Sequence, residues 1–116
     1  MKGYEKYVKE LIKRHGFVVH DKFNIAKVNS DRDVYWFTPN YDRLINDWTM
    51  VCYNATNLLC YIFSIPNNAF GISDFKKHNL NEFSLNILYN DENFEDEYSG
   101  ILFKPFLVGI LKIKSE

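Results

Sequence analysis

Metal or acid–base chemistry in this 116-residue chain would centre on three histidines, two cysteines and fifteen carboxylates. His15, His20, His78, Cys52 and Cys60 never stand at the close ligand spacing of a structural zinc site, and the His-Glu-x-x-His pattern is absent. No metal site and no cofactor are therefore expected. His15 sits at the edge of an apolar helical stripe and reads as a half-buried structural histidine. Two cysteines are too few for a disulfide framework. They fall on the arms of a proposed hairpin. Pairing Tyr53 with Leu58 sends them to opposite faces, whereas pairing Asn54 with Leu58 sets them directly opposite one another. In either register they read as buried free thiols that pack as small hydrophobes. No neighbouring histidine or cationic cluster would activate them as nucleophiles.

The carboxylates offer two patterns. Asp42, Asp47 and the pair Asp74 and Lys76 have the residue types of a divergent metal-dependent nuclease, in which acids hold Mg²⁺ and a lysine orients the attacking water. The simpler reading makes Asp47 a turn residue and places Asp74 at a helix start beside a Ser73 cap. The second pattern is an acidic loop. Asp91, Glu92, Glu95, Asp96 and Glu97 surround Phe94, and Tyr98 follows. Like charges this close repel unless water or a partner neutralises them. Rings inside a charged rim are also the layout of a protein-binding hot spot, with an aromatic anchor and electrostatic steering. The competing reading is a solvated turn whose Phe94 folds back into the core.

Other motifs that announce a site are missing, although a Ser-His-Asp triad is assembled in space and leaves no fixed spacing. Glycines 3, 16, 71, 100 and 109 are isolated, so no loop cradles phosphate, and no Gly-x-Ser-x-Gly elbow exists. Net charge is −1, which argues against binding nucleic acid through a basic surface. Residues 1–32 hold eight Lys/Arg against four Asp/Glu. The basic face of Lys2, Lys6, Lys9 and Lys13 reads as the solvated side of an amphipathic helix. No signal-peptide core is present. The apolar run at 101–111, broken by Lys104 and Pro105, falls short of the roughly 20 residues of a membrane span. A cytoplasmic protein without membrane contact is expected.

These residues need a scaffold. No linker, repeat or low-complexity tract divides the chain, so a single domain over 1–116 is expected. Ten Phe, eight Tyr and two Trp can fill its core mainly with rings. Tyr4, Tyr7, Val8, Leu11, Ile12 and His15 recur at helical spacing and predict a helix over 3–15, stopped by Gly16. Strands are expected at 17–20, 23–28 and 34–37, with a turn at 29–33. Thr38 and Pro39 predict the cap and first residue of a short helix over 39–46. Residues 48–53 and 58–65 predict a hairpin, and Ser73 a helical turn over 74–78. Residues 83–89 alternate as a strand with one wet face. Residues 101–113 are read as a C-terminal helix opened by Pro105, with a strand as the alternative because Gly109 disfavours both. The predicted class is α+β, a mostly antiparallel sheet of about five strands with an N-terminal and a C-terminal helix.

The functional expectation is a small non-enzymatic protein-binding module of the inhibitor, immunity or anti-defence type, bacterial or phage. It would use Asp91, Glu92, Phe94, Glu95, Asp96, Glu97 and Tyr98 to engage a protein partner. A basic groove that otherwise holds nucleic acid would suit such a loop, without direct nucleic-acid binding by this chain. The alternatives are the metal-dependent nuclease and a homo-oligomeric structural subunit joined through its aromatics. Oligomeric state is not legible.

Overall fold

A computed structural model describes residues 2–29 and 31–113. The first helix, α1 (Lys2–Arg14), forms as its stripe requires. Val8, Leu11 and Ile12 are buried, and Lys13 and Arg14 sit in the last turn, where the helix dipole favours cations. Gly16, at φ 88°, closes the helix. Its N–H donates to the Lys13 carbonyl, and the Phe17 N–H reaches back to Ile12, as a Schellman stop does. His15 is exposed rather than half-buried, and its Nδ1 lies 3.0 Å from the Leu11 carbonyl oxygen. On the basic face Lys6 and Lys13 are exposed, whereas Lys9 lies over the Phe23 ring. The Lys2 side chain is outside the described residues.

Seven strands make one sheet: β1 (Lys22–Asn29), β2 (Val34–Phe37), β3 (Trp48–Asn54), β4 (Leu59–Ile65), β5 (Lys76–Lys77), β6 (Phe83–Leu88) and β7 (Leu107–Lys112). Their order is β5-β6-β2-β1-β3-β4-β7, with β1 parallel to β3 and every other pair antiparallel. The α+β class is therefore right, but the expected mostly antiparallel sheet of about five strands is corrected to seven strands, with one pair parallel. The parallel pair arises because the chain crosses over between β1 and β3 through β2 and a short 3-10 turn.

The sheet is strongly curled. In a flat sheet β3 and β6 would lie three strand spacings of about 4.8 Å apart, yet the rings of Trp48 and Phe83 approach to 6.0 Å between centroids. β1 makes this possible. Residues 22–27 pair with β3, and only Val28 and Asn29 pair with β2, so β2 and β6 swing over one face. That face becomes a ring-rich core of Tyr35, Phe37, Trp48, Phe63, Phe75, Phe83 and Phe103. The other face of β3 and β4 is closed by α1 over Val51, Cys60 and Ile62.

Local differences have physical causes. Residues 17–20 join no strand. They step from α1 to β1, and the His20 N–H donates to Thr49 Oγ1 instead of a ladder. In the expected turn at 29–33, Ser30 lies outside the described residues and Asp33 takes φ 55°. The predicted helix at 39–46 is a 3-10 turn, Tyr41–Ile45, capped by Asn40 rather than Thr38. At 74–78 the 3-10 turn Ile72–Asp74 gives way to β5, and Asp74 itself accepts the Gly71 N–H. The hairpin pairs Asn54 with Leu59, leaving a loop at 55–58 in which Leu58 adopts φ 60°. Cys52 then faces Tyr61 across the ladder and Cys60 faces Tyr53. The thiols occupy opposite faces, as one of the two registers required, although neither proposed pairing through Leu58 occurs.

Two corrections bear on function. The β6 face expected to be wet is covered, and Ser84 and Asn86 are buried. The C-terminal helix is replaced by one 3-10 turn, Lys104–Phe106, followed by β7 along β4. As a strand, 107–112 completes the β4 ladder, whose backbone groups would otherwise lack partners. Gly109 fits this placement because a Cβ there would run into the Phe17 ring. No described helix is long and apolar enough to cross a membrane.

Candidate binding site at the acidic hairpin

The acidic segment is an ordered hairpin attached to the edge of β6. The Leu88 N–H donates to the Glu95 carbonyl and the Glu97 N–H to the Asn86 carbonyl, so residues 95–97 extend the sheet beside β6. The chain turns through Gly100, at φ 77°, and the Phe103 N–H returns to the Phe94 carbonyl. Sequence position within the loop does not reveal role; burial does.

Asp96 is fully buried. Its Oδ1 accepts the Asn86 N–H at 2.8 Å, and its Oδ2 accepts the Ser99 N–H at 3.0 Å and the Ser99 hydroxyl at 2.7 Å. Three donors stabilise a carboxylate that has no ion pair among the described residues. Phe94, at φ 53°, turns inward and packs against Tyr61 at 5.1 Å and Phe63 at 5.0 Å. It is the buried wedge of the simpler reading for that residue. Asp91 accepts the Glu95 N–H at 2.9 Å, which holds the first turn. Glu97 pairs with Arg32 at 3.3 Å on the surface. Glu92 and Tyr98 are exposed, Tyr98 at 65%. Among the described residues Asp91, Glu92 and Glu95 have no ion pair. Of the seven expected site residues, Phe94 and Asp96 are buried and shape the loop, Asp91 holds its first turn while still partly exposed, and the other four keep surface that a partner could reach.

Beside this hairpin, at one end of the curled sheet, opens a cavity of about 320 Å³. Tyr35, Tyr61 and Phe94 wall it, and Leu107 and Ile110 of β7 complete the apolar lining. Its polar lining comes from Asn54, Asn90, Asp91, Glu92 and Lys104. Burial, reinforced by the neighbouring Cys52, Tyr61 and Tyr89, raises the Tyr35 phenol well above its ordinary range against an opposing hydrogen bond from Asn54. It remains a neutral hydroxyl in the wall. The sequence flagged only Asp91, Glu92 and Phe94 of this lining. Tyr35, Tyr61, Lys104, Leu107 and Ile110 come from separate segments, and no local signal connects them.

The other candidates are not brought together. Asp42 pairs with Lys22 at 3.0 Å and Arg43 at 2.9 Å. Partial burial pushes its carboxyl up, but hydrogen bonds and charge from Arg43 and Lys22 together hold it below the usual carboxylate range. Asp47 is lowered by accepting the backbone and side-chain N–H groups of Asn67. Asp74 caps its own turn and Lys76 is exposed on β5. Among the described residues no three His, Cys, Asp or Glu side chains cluster as a metal-holding group. Burial raises the Cys60 thiol to about 12, and it pushes the Cys52 thiol well above its ordinary range.

No protein-family model, curated protein or solved structure matches the chain. What the cavity can do therefore follows from its own chemistry. Two carboxylates beside three rings favour a cation on an apolar stem, whose head meets the acids while its methylenes lie on the aromatic walls. Lysine and arginine side chains have this form.

Proposed function

We propose that this chain is a non-enzymatic module that binds a protein partner through the acidic hairpin. The cavity beside the hairpin carries the reading, because it joins aromatic walls to the carboxylates of Asp91 and Glu92, which have no ion pair among the described residues. A basic side chain of the partner would enter it, while Glu95, Glu97 and Tyr98 meet the surrounding surface. Charge on the rim steers the encounter, and the ring-lined pocket supplies the anchor. Buried Asp96 and Phe94 keep the loop in shape before binding, which lowers the ordering cost of association. A partner with a basic groove is the complementary surface, and an inhibitory or neutralising role would follow from covering such a groove.

The test is capture from lysate of the source cell by the wild-type protein and by a combined Asp91→Asn, Glu92→Gln, Glu95→Gln, Glu97→Gln variant. Asp96 is left intact because it holds the hairpin. Circular dichroism should be unchanged and capture lost, with wild-type capture falling as salt is raised. Equal capture by both proteins would remove the hairpin as the binding surface.

A further inference from the structure

The two edges of the sheet differ in how they are protected. One edge ends in β5, two residues long and carrying exposed Lys76 and Lys77, a short charged edge that discourages pairing. The other ends in β7, six residues long, with Val108 and Ile110 each 51% exposed. No described strand lies beyond it.

The phase of the β4–β7 ladder shows which β7 backbone groups are free. The Ile113 N–H donates to the Leu58 carbonyl at 2.6 Å, and Leu111 pairs with Cys60 and Gly109 with Ile62. In an antiparallel ladder alternate residues bond to the same neighbour. Leu111 and Gly109 therefore turn their backbone groups toward β4, and Ile110 and Lys112 turn theirs away. Among the described residues those outward groups have no backbone partner. Ile110 also lines the cavity that holds Asp91 and Glu92. A residue placed opposite Ile110 on an added strand would have its Cβ about 5 Å away, at the cavity mouth.

We propose that β7 accepts an extended segment of the partner protein as an eighth strand, with a Lys or Arg of that segment seated between the cavity rings and the carboxylates of Asp91 and Glu92. This rests on the protein-binding reading above and names the partner's chemistry. Backbone pairing supplies affinity, and the pocket selects the side chain, as in other strand-addition complexes. Charge decides against a second copy of this chain. The lining holds two acids and one base, Lys104, and the Lys112 amine of β7 is tied to the Asn57 carbonyl, so a symmetric β7–β7 contact would bring two acidic rims together.

A displayed library of random nine-residue peptides, panned on the purified protein, tests this directly. Enriched peptides should carry a Lys or Arg flanked by β-branched residues. A synthetic copy of the best one should bind the Asp91→Asn, Glu92→Gln variant at least about tenfold more weakly, the scale of losing a close charge pair. N-methylation of the peptide amides that face β7 should abolish binding, whereas methylation of the alternate amides should spare it. Ile110→Pro should also block binding, since it removes an outward N–H and leaves the β4 ladder its donors; the methylated peptides decide the matter if that variant misfolds. Enrichment without a basic residue, indifference to methylation, or no enrichment would overturn the proposal. So would a wild-type dimer that Ile110→Pro dissociates, because the occupant would then be a second copy. Lysate capture that depends on the hairpin but ignores Ile110→Pro would sink only the strand addition. Capture indifferent to the hairpin charges would sink the binding reading beneath it.

Discussion

The two faces of the β3–β4 hairpin solve the same burial problem in different ways. On one face a single regular element, α1, lays Val8, Leu11 and Ile12 over Val51, Cys60 and Ile62. On the other face no described α-helix packs, and the covering layer is the sheet itself, curled back, with a 3-10 turn and the acidic hairpin filling the gaps. Rings suit that irregular space because tilted and edge-on contacts tolerate varied geometry. Phe75 stacks on Phe83 at 4.9 Å, and Phe94 meets Phe63 edge-on at 5.0 Å. The aromatic face does not close completely, and the cavity marks where it stays open. A regular element seals a sheet; turns and loops leave a pocket.

Large-to-small changes should expose the difference most strongly. Trp48→Ala, on the aromatic face, is expected to cost about 3–5 kcal/mol and Ile12→Ala, on the helix face, about 2–5 kcal/mol, read by denaturant unfolding. Trp48 also loses its Nε1 hydrogen bond to Asn24 at 3.0 Å. An aromatic face that tolerated Trp48→Ala better than the helix face tolerates Ile12→Ala would reverse the comparison.

Next comes Gly109→Val, which overpacks the contact with Phe17 and should cost about 1–3 kcal/mol. Adding Phe17→Leu should recover part of that loss, and additive losses would show that the two residues do not share one space. Asp96→Asn presents an amide where three donors converge and should cost about 1–3 kcal/mol. It should also loosen the hairpin, seen as faster amide exchange at Ser99 and Gly100 with α1 unchanged.

Both faces bury one thiol, so alkaline pH probes them together. Folded Cys60 ionises at about 12, and an unfolded thiol near about 8.5. Stability from keeping it neutral is therefore complete below about pH 8.5 and is lost as pH rises toward Cys60's folded value. Cys52 shifts in the same direction. In native protein at pH 8 a thiol reagent should label neither cysteine, and in denaturant both. Rapid native labelling of one alone would show that its face opens independently.

The smallest effect belongs to Asp42→Asn. The side chain is 36% exposed, so solvent screens its pairs with Lys22 and Arg43, and the loss should stay below about 1 kcal/mol. Because the folded carboxyl is lowered, its contribution is present above about pH 4 and disappears as pH falls through the folded value. Wild type and variant should converge in acid.

Of the candidate site, the sequence showed the acidic cluster but not the division of labour inside it. Five acids look alike in a string. Asp96 differs from Glu92 only because the Asn86 and Ser99 donors surround one and water the other. Phe94 carried two readings for the same reason, since a ring beside charges packs inward or outward according to the space waiting for it. That space is formed by Tyr61 and Phe63, more than thirty positions away.

What the sequence determined by itself was local. The α1 stripe, the Gly16 stop, the β3–β4 hairpin and the burial of both thiols follow from periodicity, backbone freedom and hydrophobicity within short windows. Tertiary structure alone decided the parallel pairing of β1 with β3, the curl that creates the cavity, and the strand at 107–112. In that last segment Pro105 and Gly109 left helix and strand close in local preference. The balance was tipped by β4, whose edge needed hydrogen-bond partners, and by the Phe17 ring, which needed a residue without a Cβ beneath it. Such partners are far away in sequence, and only the folded chain brings them into contact.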